Sequence, residues 1–231
     1  MIERLGRPAS SVLVGIATGI VIVAVAIVPF VTPAWVSFEQ GRAGAEAWTG
    51  YSPAQLRQAT DAILSDLVIG PPNFDVAVAG QPVLNARERA HMTDVRRVFS
   101  GLAALAVASL ILLVVGHRIA HGSGPFWRAL RGGAAVLALG VIVVGVIGTF
   151  AFDATFDVFH RLFFAGGSYT FDPRTDRLVQ LFPDQFWFES SLALGALILL
   201  LCLVAWRVAT ERVAAGVSRR PAGAPVLEPS R

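Results

Sequence analysis

The chain has 231 residues, of which 55% are hydrophobic and only 15% are charged, and its mean hydropathy is +0.63. Soluble domains carry about 25% charged residues, so this composition excludes an ordinary soluble protein. The formal charge of +3 comes from arginines that border apolar runs. The placement of these arginines therefore indicates how the chain is oriented in a membrane, and we expect no nucleic-acid partner.

Four apolar runs are long enough to cross a membrane as helices. They are residues 11–31, 98–116, 134–152 and 192–206. Because about 20 apolar residues span the hydrocarbon core, the sequence predicts a mainly α integral membrane protein with four transmembrane helices. The first run is followed by Thr32, Pro33 and Ala34, an imperfect signal-peptidase site, so we expect it to be retained as a helix.

The arginines predict which connections face the cytoplasm, since basic residues near helix ends are retained there. They precede the first run, crowd residues 117–133 and follow the fourth run. Both termini are therefore expected in the cytoplasm, with residues 207–231 as a disordered tail. Residues 32–97 and 153–191 become outer loops that carry thirteen of the sixteen acidic residues. These two loops are expected to form a small extracytoplasmic α+β cap.

The first outer loop contains a predicted amphipathic helix. Ser52 followed by Pro53 is an N-cap and first-turn pair, and apolar residues then recur at helical spacing. This pattern predicts a helix over residues 53–68. A small sheet is also predicted, from short runs at residues 74–79, 168–171 and 177–182.

A helix that leads into the second apolar run carries the first candidate site residue. Asn85 with Glu88 three residues later resembles a capping box, so a helix is expected to start there and to run unbroken into the membrane. His91 then lies about two turns above the hydrocarbon. Glu88 at i−3 and Asp94 at i+3 share its face, and either carboxylate could orient the ring or raise its basicity.

The third apolar run leads to the second candidate. Its helix is expected to continue through a series of phenylalanines past the membrane edge, which places His160 at the outer surface. Asp157 and Asp153 share the face of His160, three and seven residues before it. A lone interfacial histidine is usually a satisfied polar residue. Two such histidines, each at an outer helix end with acidic residues on the same helix face, are as consistent with a chemical site as with a structural role.

Other chemistries have weaker support in the sequence. His117 and His121 are four residues apart but lack the glutamate of a zinc-binding HExxH motif, so they are interpreted as positive-inside or headgroup contacts. A two-histidine metal site completed by Asp94 or Asp157 remains an alternative. The only cysteine, Cys202, lies in the fourth apolar run, which excludes a cysteine nucleophile in the outer loops.

Several short stretches around the two histidines are shared with a known family. They are residues 84–95, 159–164, 169–173 and 181–183, and their order and spacing agree over residues 10–208. In these stretches the chain resembles the bacterial lipoprotein intramolecular transacylases and related four-helix membrane proteins. The resemblance implies an enzyme of the bacterial cytoplasmic membrane with its active site at the extracytoplasmic surface and no cofactor. It would move an acyl chain from the sn-2 ester of a diacylated lipoprotein to the α-amine of its N-terminal cysteine, which yields a lyso-form lipoprotein.

The same resemblance implies roles for individual residues. The two histidines thought to be catalytic in the family map onto His91 and His160. One would take the amine proton, and the other would stabilise the oxyanion or protonate the departing glycerol oxygen. Which histidine does which stays open, as does an ester-exchange route through a migrated sn-3 chain. Asp94 carries over as a motif neighbour of His91, and Tyr169 lies in a shared stretch. Helical spacing adds Glu88, Asp153 and Asp157 as supporting positions, and charge at the membrane edge adds Arg87, Arg97 and Arg161 as expected substrate or lipid-headgroup contacts.

Two functions of other classes remain as alternatives to the acyltransferase. The same scaffold would serve a membrane sensor or assembly protein without catalysis, and the histidine pair would also suit a metal-dependent hydrolase. Alanine variants of the two histidines should abolish the activity of an enzyme but leave a sensor or assembly protein functional. A chelator should inactivate a metal-dependent hydrolase and leave the acyltransferase active.

Overall fold

The computed structural model describes residues 2–164 and 168–218, and it describes side chains over residues 10–164 and 168–215. Over these residues the chain is mainly helical, with one short hairpin. In chain order the elements are α1 (Ile2–Ile27), a 3₁₀ turn (Val28–Val31), α2 (Pro33–Arg42), α3 (Ala45–Thr49), α4 (Pro53–Val68), β1 (Ala77–Val78), β2 (Gln81–Pro82), α5 (Ala86–Ile119), α6 (Gly124–Phe150), α7 (Phe152–Phe163), α8 (Arg177–Leu181) and α9 (Asp184–Ser218).

Four of these helices, α1, α5, α6 and α9, are each long and apolar enough to cross a membrane, as the sequence predicts. α1 packs against the other three, and α6 packs along α9. The outward faces of α5 and α6 carry large exposed apolar side chains, and an apolar surface of this extent suits lipid chains rather than water. The core between the helices contains small and branched residues: Ile22, Ala26, Ala134, Ile198 and Cys202.

The helix α5 is longer than a membrane requires. Its 34 residues measure about 51 Å at 1.5 Å per residue, whereas the hydrocarbon core is about 30 Å thick. The apolar part begins at Val98, and residues 86–97 contain four arginines. His91 therefore lies on the part of α5 that projects beyond the membrane-spanning segment. The predicted unbroken helix from Asn85 into the second apolar run is confirmed.

The helix α9 corrects the predicted tail. It continues to Ser218, so residues 207–218 are helical rather than disordered. Alanine, arginine and glutamate favour helix in this stretch, and its start is already fixed by the apolar helix before it. Residues 219–231 of the predicted tail lie outside the described residues.

The helices α1 and α6 approach closely where two glycines face each other. A Cβ on Gly133 would lie 2.5 Å from the Cα of Gly15 and would also clash with the Gly15 carbonyl group. The substitution Gly133→Ala is expected to push the helices apart and to cost about 1–3 kcal/mol of unfolding free energy. Thermal unfolding in detergent measures this, with Gly132→Ala as the control, because a Cβ on Gly132 meets nothing within 4 Å. Equal unfolding temperatures for the two variants would contradict the close helix contact.

The other helices form a cap over one end of this four-helix bundle. α4 spans the predicted residues 53–68, and Ser52 and Gln55 form a capping box at its start. The apolar face of α4 packs in a core that also contains Leu181 and Phe186 from the second loop. The two predicted outer loops therefore fold together as one unit. The buried apolar residues of α4 are Leu56, Ala59, Ile63, Leu64 and Leu67.

Among the described residues, the predicted sheet is reduced to a hairpin in the first loop. Ala77–Val78 pairs antiparallel with Gln81–Pro82. The turn between them has positive φ at Ala79 and Gly80. The N–H of Val83 also donates to the carbonyl of Val76 at 2.8 Å, and Phe74 and Asp75 of the predicted strand over 74–79 lie outside the hairpin.

The strands predicted in the second loop are wrong. Residues 168–171 form a turn and irregular backbone, and residues 177–181 form the short helix α8. The N–H of Leu178 donates to the Glu88 carboxylate at 2.6 Å, so its donor is used by α5 and not by a neighbouring strand. Short apolar runs of this kind suit helix or strand equally, and the long-range contact decides between them.

The sequence predicted one continuous helix from the third apolar run to the second candidate histidine. In the structure, this histidine lies on a helix that is separate from the third long helix. α6 ends at Phe150, and Ala151 leaves the helical conformation with φ −142° and ψ 55°. After this break Phe152 packs on Phe188 of α9, with ring centroids 5.3 Å apart. α7 therefore lies against the start of α9, at the end of the bundle that the cap covers.

Candidate active site

The two candidate histidines meet at the capped end of the bundle. His91 lies near the start of α5, and His160 lies in the last turn of α7. Their ring centroids are 6.2 Å apart and their ring planes are inclined by 23°. Only 6% of His91 and 9% of His160 is exposed. Two groups that can transfer protons thus stand within reach of one bound molecule.

Aromatic rings surround both histidines. Around His91 they are Phe164 and Phe171, with centroids at 4.9 and 5.4 Å. Around His160 they include Phe156 at 4.1 Å and Tyr169 at 5.0 Å. These rings exclude water from the imidazoles and give them a largely apolar environment.

The apolar environment keeps both histidines neutral near pH 7. Burial lowers the pKa of His160 and outweighs the Phe156 carbonyl group and the Asp157 charge, which raise it. Burial also lowers the pKa of His91, the neighbouring His160 lowers it further, and Asp94 raises it. In both cases desolvation of the charged form is the largest effect.

The two imidazoles are therefore expected to titrate with midpoints below the ordinary histidine pKa of 6.5. Because the unfolded chain then binds protons at higher pH than the folded one, the free energy of unfolding falls as pH drops below 6.5. NMR of histidine-labelled protein in micelles measures the midpoints of titration. The variants His91→Gln and His160→Gln each remove one histidine signal, which assigns that signal to its residue. Midpoints at or above 6.5 for both rings would contradict the neutral pair.

Hydrogen bonding fixes the tautomer of His160 and leaves one nitrogen of His91 without a partner among the described residues. Nδ1 of His160 lies 2.8 Å from the carbonyl oxygen of Phe156. A carbonyl oxygen only accepts, so Nδ1 carries the hydrogen and Nε2 of the neutral ring keeps its lone pair. The buried Nδ1 of His91 has no hydrogen-bond partner among the described residues. An unsatisfied buried nitrogen is costly, which makes it a contact point for a polar group of a bound molecule.

The two acids predicted beside His91 have different roles. Glu88 accepts from the backbone N–H of Asn85 at 2.7 Å and of Leu178 at 2.6 Å. It completes the predicted capping box and ties α8 to α5, so it does not orient the imidazole. Asp94 acts on His91 through its charge, which raises the pKa of the ring.

The acids predicted beside His160 also differ. Asp157 pairs with Arg161 at 2.6 Å and accepts a hydrogen bond from the hydroxyl of Tyr169 at 3.2 Å. The Tyr169 ring that this contact holds is one wall of the His160 site. Asp153 is exposed, and its carboxylate has no hydrogen bond or ion pair with the rest of the described chain.

The arginines predicted to contact substrate or lipid headgroups are already paired within the chain. Each guanidinium group has a carboxylate partner, which reduces the charge it offers to a ligand. The pairs are Arg87 with Asp176 at 2.7 Å, Arg97 with Asp94, and Arg161 with Asp157. Arg89 pairs with Asp75 at 3.0 Å, and Arg96 donates to the backbone carbonyls of Asp66 and Gly70.

A buried carboxylate that sequence reasoning missed holds the second loop against α5. Asp176 is 4% exposed and accepts from the side chains of Asn85 at 2.9 Å and Arg87 at 2.7 Å. The same loop presents Phe171 to His91, and the guanidinium group of Arg87 lies over the Phe171 ring at 5.1 Å. About 90 residues separate the partners, so no local pattern marks Asp176, although it is the N-cap of α8.

The described side chains that could bind a metal ion do not support the alternative metal site. Within residues 10–164 and 168–215, no three histidine, cysteine, aspartate or glutamate side chains are grouped closely enough to hold one metal ion. Asp94 and Asp157, which that site required, are each paired with an arginine.

Comparisons with known proteins match both the sequence and the fold. The family model described as "Lipoprotein intramolecular transacylase Lit" matches residues 11–187. A solved structure of the membrane-integral lipoprotein intramolecular transacylase Lit from Bacillus cereus has a TM-score of 0.77 at 18% sequence identity, and the match covers 92% of this chain and 98% of that chain. No curated protein sequence matches the chain.

Two structures of variants of the Bacillus cereus enzyme, in which one histidine is replaced by arginine or by alanine, also match. Each has a TM-score of 0.74 at 18% identity, and the matches cover 95% and 94% of this chain and 97% and 98% of theirs. At this identity the solved structures show a shared fold, that of a multi-pass membrane protein. The family model covers well over half of the chain, so the chain belongs to the lipoprotein intramolecular transacylase family, Lit, and is an enzyme of that family.

Proposed function

We propose that this enzyme moves the sn-2 acyl chain of a diacylated lipoprotein to the α-amine of the N-terminal cysteine. The observation that carries the proposal is the pair of buried, neutral histidines with ring centroids 6.2 Å apart, in a chain of the transacylase family. The amine and the ester belong to one substrate molecule, so the enzyme needs chiefly to position them and to move protons.

The reaction balances without an enzyme nucleophile or a cofactor. The cysteine nitrogen attacks the ester carbonyl carbon, so a C–N bond forms and the C–O bond to glycerol breaks. The nitrogen loses a proton, and the glycerol oxygen gains one. An α-amine with a pKa of about 7.7–8.0 is partly charged at neutral pH, so a base is needed before or during the attack.

We assign the base to His160. The Phe156 carbonyl holds the hydrogen on Nδ1, which leaves Nε2 free to take the amine proton and then to return it to the glycerol oxygen. His91 supplies a hydrogen bond to the oxyanion through its unpaired Nδ1, when that nitrogen carries the ring hydrogen. The aromatic walls protect the tetrahedral intermediate from competing hydrolysis.

A cellular experiment tests the reaction. The enzyme is expressed in bacteria whose lipoproteins accumulate in the diacylglyceryl form, and the N-terminal peptide of one lipoprotein is analysed by tandem mass spectrometry. The expected peptide carries one acyl chain on nitrogen and one on glycerol. Persistence of the diacylglyceryl peptide, despite folded enzyme in the membrane, would contradict the proposal.

We also propose that the histidine end of the bundle faces away from the cytoplasm. Of the described arginines, Arg118, Arg128, Arg131, Arg207 and Arg212 lie at the opposite end, which is the pattern of a cytoplasmic end. In a Cys202→Ala background, Gln81→Cys in the hairpin is expected to react with a membrane-impermeant maleimide in intact cells, and Glu211→Cys on α9 is expected to react only after lysis. Both residues are exposed, so reaction reports the side of the membrane. The reverse labelling pattern would contradict this orientation.

A further inference from the structure

The end of the bundle opposite the histidine pair contains a cavity. His91 and His117 both lie on α5, 26 residues apart, which is about 39 Å along the helix. The cavity has a volume of about 550 Å³ and lies between the end of α5, the start of α6 and the end of α9. Its main lining residues are His117, Arg118, His121, Trp127 and Arg212.

A tight turn after α5 forms one wall of this cavity. The N–H of His121 donates to the carbonyl of Arg118 at 3.1 Å, and the N–H of Gly122 donates to the carbonyl of His117 at 3.0 Å. His121 has φ 49°, which is uncommon for a residue other than glycine, and Gly122 has φ 63°. The turn thus holds both histidines beside Arg118 in a defined conformation.

The cavity offers positive charge that no described carboxylate neutralises. Over the described residues, no carboxylate lies within 4 Å of Arg118 or Arg212, unlike the paired arginines around His91 and His160. The guanidinium group of Arg212 lies 5.9 Å from the ring centroid of Trp127. The buried Nδ1 of His117 also has no hydrogen-bond partner in the described part of the chain. These groups together suit an anion with several oxygen acceptors, such as a phosphate diester.

An apolar hollow adjoins the charged cavity. It has a volume of about 340 Å³ and shares His117, Arg118, Trp127 and Arg212 with the cavity. Its remaining lining residues are apolar: Leu113, Val114, Phe126 and Leu130. A ligand that fills both spaces has an anionic head beside a hydrocarbon chain, and a tryptophan at such a boundary is typical of the membrane interface.

We propose that this cavity binds the headgroup phosphate of an anionic phospholipid, with one acyl chain along the apolar hollow. The site is separate from the transacylase site, and its binding of lipid does not depend on the reaction proposed above. Basic pockets between membrane helices are known to bind anionic lipid headgroups in this way.

Native mass spectrometry of the full-length protein in detergent tests the site, with phosphatidylglycerol and phosphatidylcholine as probes. Wild type is expected to bind phosphatidylglycerol more tightly than phosphatidylcholine. Arg118→Gln combined with Arg212→Gln should weaken phosphatidylglycerol binding roughly ten-fold or more, because charge-assisted hydrogen bonds to the phosphate are lost. Arg131→Gln combined with Arg207→Gln is the matched control, since it removes the same charge near the same end but neither residue lines the cavity or the hollow.

Each outcome decides the proposal. Selective loss in the Arg118 and Arg212 variant, with the control like wild type, supports the site. Equal loss in both double variants, or equal binding of the two lipids by wild type, would overturn it. Inorganic phosphate distinguishes a soluble ligand: if millimolar phosphate displaces phosphatidylglycerol, the cavity is a site for soluble phosphates and the lipid proposal fails.

Discussion

Replacing either His91 or His160 by alanine is expected to lower kcat by about 10²–10⁴-fold, the usual contribution of a positioned acid or base. His160→Ala removes the Nε2 lone pair that takes the amine proton, and His91→Ala removes the donor to the oxyanion. Both groups act on the transition state, so KM should change less than kcat. Turnover of a diacylated lipopeptide by purified enzyme in detergent measures both constants.

The histidine prediction requires controls for folding and for metal. Val158→Ala changes an exposed residue of α7 and should keep wild-type turnover. His91→Gln and His160→Gln keep hydrogen-bonding groups but cannot take up and release a proton near pH 7, so His160→Gln should remain as impaired as His160→Ala. A chelator should leave wild-type turnover unchanged. Full turnover by both alanine variants would contradict the site, and loss of turnover with a chelator would favour the metal-dependent alternative.

Replacing Glu88 by alanine is expected to destabilise the fold by about 2–4 kcal/mol, because two backbone N–H groups lose a carboxylate partner. Glu88 is 1% exposed, and its oxygens accept from Leu178 at 2.6 Å and Asn85 at 2.7 Å. The loss of these bonds releases α8 from the start of α5. Circular dichroism during heating in detergent should show a fall in Tm of roughly 5–15 °C for a chain of this size.

The neighbouring residue provides the control for Glu88. Arg89 forms an ion pair with Asp75 at 3.0 Å, in which Asp75 is 70% exposed and Arg89 is partly exposed. Arg89→Ala should therefore cost only about 0–1 kcal/mol. If Glu88→Ala unfolds at the same temperature as Arg89→Ala, the carboxylate does not tie the second loop to α5.

The sequence predicted the elements that local rules determine. The four apolar helices follow from length and hydropathy, and α4 follows from Ser52, Pro53 and a helical apolar pattern. The capping box at Asn85 was also marked locally. The two histidines were singled out by acids at helical spacing and by family resemblance, and the structure brings their rings to 6.2 Å.

The features that the sequence did not predict depend on contacts between distant residues. Glu88 has the spacing to orient His91, but its oxygens bond to Asn85 and to Leu178, which is 90 positions away. No proline or glycine marks the break at Ala151, where packing on α9 redirects the chain. Local patterns describe what a segment can form, whereas these outcomes were decided by what each segment packs against.

A neutral histidine pair is proposed to transfer the sn-2 chain to the cysteine nitrogen. The most direct measurement uses purified enzyme and a synthetic diacylglyceryl lipopeptide whose sn-1 and sn-2 chains differ in length. Transfer leaves the total mass unchanged, so tandem mass spectrometry must locate each chain. We predict that wild type places the sn-2 chain on nitrogen and that His91→Ala and His160→Ala leave it on glycerol. Transfer by both variants, the sn-1 chain on nitrogen, or release of free fatty acid in place of transfer would contradict the proposed reaction.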